Sequence, residues 1–125
     1  MLFAIALGGA LGTLARYLLG TALAGVVPGF PAATLGINVV GSFLLGLLMA
    51  GVAARPDLSP APRAALTVGF CGGFTTFSTF SAETVALLER GAAGRAALYA
   101  VASVTLSVAS AFAGLALARQ LSPAR

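Results

Sequence analysis

The chain has 125 residues and is 59% hydrophobic but only 8% charged, with a net charge of +4 and a mean hydropathy of +1.04. A soluble domain is typically about 25% charged, so this composition marks an all-α integral membrane protein and excludes an ordinary soluble fold. One cysteine and no histidine exclude an intrachain disulfide and the usual zinc, haem and iron–sulfur sites, and no nucleophile–base pair supports an enzyme.

With roughly 20 residues needed per crossing, the chain holds about four membrane spans in one domain, residues 1–125, with almost nothing outside the bilayer. The first span covers about 2–27. No basic residue precedes it and three further spans follow, which argues against a cleaved signal peptide. Gly8, Gly12, Arg16 and Gly20 recur every four residues and share one helix face. Small residues at that spacing let another helix approach closely, whether within the chain or from a second copy. Arg16 lies well inside the span, where a charge costs about 2.5–3.5 kcal/mol on insertion scales. It reads either as an anchor or structural partner beside Tyr17, or as part of an anion path or its mouth.

Val27–Phe30 with Pro31 form a short turn, and the second span covers about 32–54. Thr34, Asn38 and Ser42 make a polar stripe at i, i+4, i+8. A buried Asn amide must find partners. It can bond a neighbouring helix, or offer two N–H donors to an anion without carrying a charge. Residues 55–63 form the one substantial loop, with three prolines and both signs of charge.

The third span covers about 64–88 and contains Gly-Gly-Phe-Thr-Thr-Phe-Ser-Thr-Phe-Ser at 72–81. Two adjacent glycines weaken a helix there, and backbone freed at membrane depth must be buried in protein or line a watery cavity. In transporters a glycine-interrupted apolar segment is the best sequence pointer to an ion site near the midplane. Phe70, Phe74, Phe77 and Phe80 share one face if the helix runs unbroken, with hydroxyls on the other faces. Glu83, near the end of this span, reads as a partner for an arginine at the interface.

After a turn at 90–95, the fourth span covers about 96–118 and carries a second hydroxyl stripe, Tyr99, Ser103 and Ser107. Ala111 follows at the next step and ends it. The sequence has no internal repeat, so any two-fold symmetry requires a second copy of the chain. With four spans, Arg55, Arg63, Arg119 and Arg125 lie on one side and Arg90 and Arg95 on the other, a mild positive-inside bias that permits insertion both ways.

Three blocks in order, Gly8–Tyr17, Thr34–Phe43 and Gly69–Ser81 with Glu83 beyond, resemble the Fluc (CrcB) fluoride channels over nearly the whole chain. The third block is highly specific. The resemblance implies a fluoride-selective channel in the bacterial cytoplasmic (inner) membrane, exporting fluoride passively from the cytoplasm. It implies an antiparallel, dual-topology homodimer of four-helix subunits with a broken third helix and two pores. It further implies a structural sodium ion on the two-fold axis, held by the backbone carbonyls of Gly72 and Thr75 from each subunit. Asn38, Phe77 and Phe80 would face the anion, with Ser78 and Thr79 as pore hydroxyls and Tyr99, Ser103 and Ser107 as a polar track. Arg16 and Glu83 would serve at the pore mouth or as structural charges. The chain departs from the family pattern at none of these positions. Fluoride, the lipid bilayer and a second copy are the expected partners, and nucleic acid is not.

Physical chemistry supports the same assignment. A small hydrated anion needs its water replaced by hydrogen-bond donors, which Asn, Ser, Thr and Tyr supply. It should meet aromatic rings at their positive edges. An uncharged track suits conduction, which needs sites weak enough to leave. A proton-coupled exporter of similar size needs an acid deep in the membrane, and the first span has none. A structural assembly subunit would explain the glycine faces but not the hydroxyl–Phe run. A fluoride-coupled transporter would need a second intramembrane acid, which is not evident.

Overall fold

The computed structural model describes residues 1–122 and is helical almost throughout. Arg125, counted above in the charge balance, lies outside the described residues. Helix α1 spans Leu2–Ala22 and α2 spans Ala32–Ala53. The turn between them bends at Gly25 and Gly29, both with φ near +75°, specifically 76° and 74°. That left-handed region is one that glycine enters without a Cβ penalty.

The third apolar segment is built from several pieces. Pro60 sits in the first turn of the helix Pro60–Ala64, where its missing N–H costs nothing. The rod continues as π-helical turns over Ala65–Cys71 and a last α-turn at Gly72–Phe74; residues 60–74 are here α3. Thr75 (φ −83°, ψ 159°) and Thr76 (φ −152°, ψ 116°) are extended, and α4 then runs Phe77–Glu89. Gly91 turns the chain with φ 73°, and α5 spans Ala93–Leu121. At 1.5 Å per residue, its 29 residues reach about 43 Å. Helix α1 therefore stops before residue 27, and α5 extends beyond 96–118 at both ends. The third segment begins before 64.

Helices α1, α2 and α5 are each long and apolar enough to cross a membrane. Apolar side chains such as Leu2, Phe3, Leu18 and Phe112 point outward, as expected where the surroundings are hydrocarbon. The helices associate mainly as two pairs, α1 with α3 and α2 with α5. Glycine allows both close approaches. A Cβ on Gly8 or Gly12 of α1 would strike the carbonyls of Ala65 or Phe70, and one on Gly46 or Gly114 would strike Ala111 or Phe43 across the α2–α5 seam. The glycine face of α1 thus packs within its own chain.

Candidate functional site

The site is organised by the two extended residues between α3 and α4. Gly72 and Gly73 lower helix propensity just before the interruption, but a bond from α2 holds it open. Asn38 Oδ1 accepts from the Thr76 N–H at 2.8 Å, and Asn38 Nδ2 donates to the Thr76 carbonyl at 3.1 Å. The side-chain amide thus replaces one rung of helix on each side of Thr76.

Two carbonyls are freed as a result. The Thr76 N–H, which a continuous helix would give to Gly72, goes to Asn38. The Thr79 N–H, which would go to Thr75, is accepted by Thr76 Oγ1 at 3.2 Å as the N-cap of α4. Of the two carbonyls between them in sequence, that of Gly73 is occupied: it accepts from Arg16 Nε at 3.0 Å, with Thr13 Oγ1 at 3.5 Å. Gly72 and Thr75 therefore offer carbonyl oxygen at the C-terminal end of a helix, where the macrodipole favours a cation. Neutral oxygen donors suit a hard ion. Among the described residues no cluster of His, Cys, Asp or Glu offers a metal an alternative.

A cavity of about 600 Å³ opens beside the interruption, lined among others by Asn38, Ser42, Gly72, Thr75, Phe77, Phe80, Ser103 and Ser107. The Ser103 hydroxyl is buried without a hydrogen-bond partner. A buried polar group left unpaired is costly, so this hydroxyl is available to a ligand in the cavity. Phe77 and Phe80 form a tilted pair with centroids 5.4 Å apart, and Phe77 is 77% exposed. Because the backbone breaks before them, they do not continue the stripe of Phe70 and Phe74. Those two stack on each other instead, at 5.8 Å and an interplanar angle of 8°.

Tyr99 does not line this cavity. It is fully buried, edge-on to Phe30 at 5.6 Å and tilted against Phe80 at 5.1 Å. Its hydroxyl donates to Glu83 Oε2 at 2.6 Å, while the Thr34 hydroxyl donates to Oε1 at 2.8 Å. The expectation that Glu83 pairs with an arginine gives way to this arrangement: hydroxyls from α2 and α5 reach the carboxylate first, and they fix α4 between those two helices. A second cavity of about 350 Å³ lies on this side, lined by Arg16, Thr34, Thr76, Thr79 and Glu83 among others. Thr79 faces this second cavity, and Ser78 is exposed beside Thr76, their hydroxyl oxygens 3.3 Å apart.

The structure thus gathers Asn38, Phe77, Phe80, Ser103 and Ser107 around one cavity with Gly72 and Thr75, and places Arg16, Glu83 and Thr79 on the other. Thr34 and Thr76 were not among the expected site residues, although each holds the site together. Thr34 belongs to the same i, i+4 stripe as Asn38, which was a usable signal. Nothing in its spacing marked Thr76 as the residue that Asn38 grips.

A family model described as CrcB-like protein, Camphor Resistance (CrcB), matches residues 3–115. The chain is 52% identical over 120 residues to the fluoride-specific ion channel FluC of Agrobacterium fabrum, covering 94% of each chain. It is 52% identical over 122 residues to that of Rhodospirillum centenum, covering 95% of each. The Nitrobacter winogradskyi protein of the same name is 49% identical over 119 residues, covering 94% of each.

Proposed function

The chain belongs to the CrcB family, and from that membership we propose that it is a fluoride channel that lets the ion leave the cytoplasm passively. It is a multi-pass protein of the bacterial inner membrane, and a channel-family member rather than an enzyme. In this reading the interrupted segment 60–89 is a fourth crossing, and two copies assemble antiparallel to form two pores.

The observation that carries the reading is the 600 Å³ cavity beside the interruption, where the unpartnered Ser103 hydroxyl, Ser107, the Asn38 amide and the rings of Phe77 and Phe80 converge. These groups are uncharged. They can replace water around a small anion through O–H and N–H donors and positive ring edges, without the tight binding that a fixed cation would impose. Asn38 has one of its two Nδ2 hydrogens engaged by Thr76, which leaves one for the anion. The exposed Phe77 ring fits a role completed by the second copy.

The freed carbonyls of Gly72 and Thr75 fit the structural sodium ion of this reading, four oxygens coming from the two chains. When bound, the ion would supply positive charge and cross-link the two interruptions. The chain's own residues perform the rest: Asn38 holds the backbone open, and the hydroxyls and ring edges guide the anion.

The deciding experiment is ion efflux from liposomes holding the purified protein, followed with fluoride- and chloride-selective electrodes. Rapid fluoride efflux without an imposed proton gradient, with negligible chloride efflux, is the expected result. Fluoride efflux only under a proton gradient would replace the channel with a coupled transporter. No efflux from a verified dimer would remove the fluoride reading.

A further inference from the structure

Helix α3 ends at Phe74, and the last carbonyls of a helix have no partner within it. Their fates here differ. Cys71 accepts both the Thr75 N–H at 3.0 Å and the Thr75 hydroxyl at 2.9 Å. Gly72 loses its donor to Asn38. Gly73 is the one whose carbonyl is taken by a cationic side chain, Arg16, from 57 residues earlier in the chain.

Arg16 lies six residues from the end of α1, about 9 Å along its axis. An interfacial anchor would extend its head group to the lipid headgroups. Arg16 is half-buried, and its Nε is turned onto backbone. The approach depends on the close fit of α1 and α3. A Cβ on Gly73 would strike the Gly9 carbonyl and crowd the Thr13 hydroxyl.

We propose that Arg16 is a positioning residue for the cation site: its Nε–H fixes the Gly73 carbonyl and thereby steadies the adjoining Gly72 carbonyl, while Asn38, bonded to the Thr76 N–H of the same peptide unit, orients that of Thr75. The proposal rests on the sodium reading above. The physical need is plain. Gly72 and Gly73 are the most conformationally free pair in the segment, and each peptide plane turns on two soft dihedrals. Without an outside bond, carbonyls on two adjacent glycines at a helix end would sample many directions. An ion site needs its ligands held by surrounding hydrogen bonds.

Three substitutions separate the hydrogen bond from the charge. In Arg16→Gln the amide nitrogen lies the same number of bonds from Cα as Arg Nε, so the donor stays and the charge goes. Arg16→Met puts a methyl carbon there and loses both. Arg16→Lys keeps the charge but places a carbon at that position. Two readouts are taken on the reconstituted full chain. One is the sodium concentration giving half-maximal fluoride efflux, and the other is amide hydrogen exchange across 72–79.

Arg16→Met and Arg16→Lys should raise the sodium requirement about tenfold, the scale of one lost hydrogen bond. Exchange across 72–79 should quicken in both. Arg16→Gln should stay close to the unsubstituted protein on both measures. If Arg16→Met does not fold, the Lys and Gln variants make the same comparison. Unchanged sodium requirement and exchange in Arg16→Met and Arg16→Lys overturn the proposal. So does Arg16→Gln behaving like Arg16→Met, because charge and not the donor would then be the cause. Efflux by the unsubstituted protein that ignores verified sodium depletion overturns the sodium reading and the ionic half of the proposal, and the exchange comparison then decides the structural half by itself.

Discussion

Asn38 holds Thr76 by both backbone groups, its Oδ1 on the N–H at 2.8 Å and its Nδ2 on the carbonyl at 3.1 Å. One α2 side chain therefore both keeps the backbone out of helix and faces the cavity where the anion is proposed to pass. Asn38→Asp preserves the acceptor but removes the donor and introduces a negative charge. We expect fluoride efflux to fall by about a hundredfold or more, since a like charge in a low-dielectric path repels the ion by several kcal/mol. Liposome efflux with the folded state verified by size-exclusion chromatography checks this, and undiminished efflux would place Asn38 away from the anion.

Phe77 and Phe80 offer a cleaner test of the aromatic edges because their surroundings differ. Phe77 is 77% exposed in the single chain, whereas Phe80 leans on Tyr99. Phe77→Ile should leave the thermal stability of the chain nearly unchanged and still cut fluoride efflux about tenfold, for a loss of ~1.4 kcal/mol of edge interaction at the barrier. Phe80→Ile should cut efflux similarly and also lower stability by about 1 kcal/mol through lost ring packing. Unaltered efflux in both would remove the rings from the pore.

Along the α2–α5 seam, backbone contact leaves no space for a methyl group at Gly114. Gly114→Ala should destabilise the protein by about 1–3 kcal/mol, the usual cost of overpacking. Gly51→Ala, also in or near this pair but with open space around it, should be neutral or slightly stabilising, by about 0.5–1 kcal/mol. Thermal unfolding in detergent micelles compares the two directly. Equal melting temperatures would mean that the seam yields.

The carboxylate of Glu83 joins three helices through the hydroxyls of Thr34 and Tyr99. Thr34→Val removes one donor with little change of shape and should cost about 1 kcal/mol. Glu83→Ala deprives the fully buried Tyr99 hydroxyl of its carboxylate acceptor and should cost more, about 1–3 kcal/mol. The order of the two melting temperatures is the test, and a milder Glu83→Ala would show that Tyr99 does not depend on the carboxylate.

Much of this arrangement was legible in the residues because it is local. Apolar runs of span length, the paired glycines at 72 and 73 and the polar stripe through Asn38 are all set by spacing along one helix. The partners were not legible. Arg16 reaching Gly73, Asn38 gripping Thr76 and two hydroxyls serving Glu83 bring together residues 57, 38, 49 and 16 positions apart. Which atoms meet over such separations depends on how helices rotate against each other, and no periodicity encodes that. The π-helical turns at Ala65–Cys71 likewise had no compositional signature, since the same residues suit an α-helix. The glycines at 46 and 114 could have been noticed as small residues inside apolar runs, but their pairing across α2 and α5 needed the structure.

The order in which the two clasps occur along the chain has a consequence for biogenesis. Arg16 and Asn38 are both synthesised well before Gly73 and Thr76. When the interrupted segment leaves the ribosome, the side chains that receive the Gly73 carbonyl and both backbone groups of Thr76 have already been made. The two residues out of helix thus enter the membrane with their clasps ahead of them, whereas Glu83 just beyond must wait for Tyr99 of the last helix.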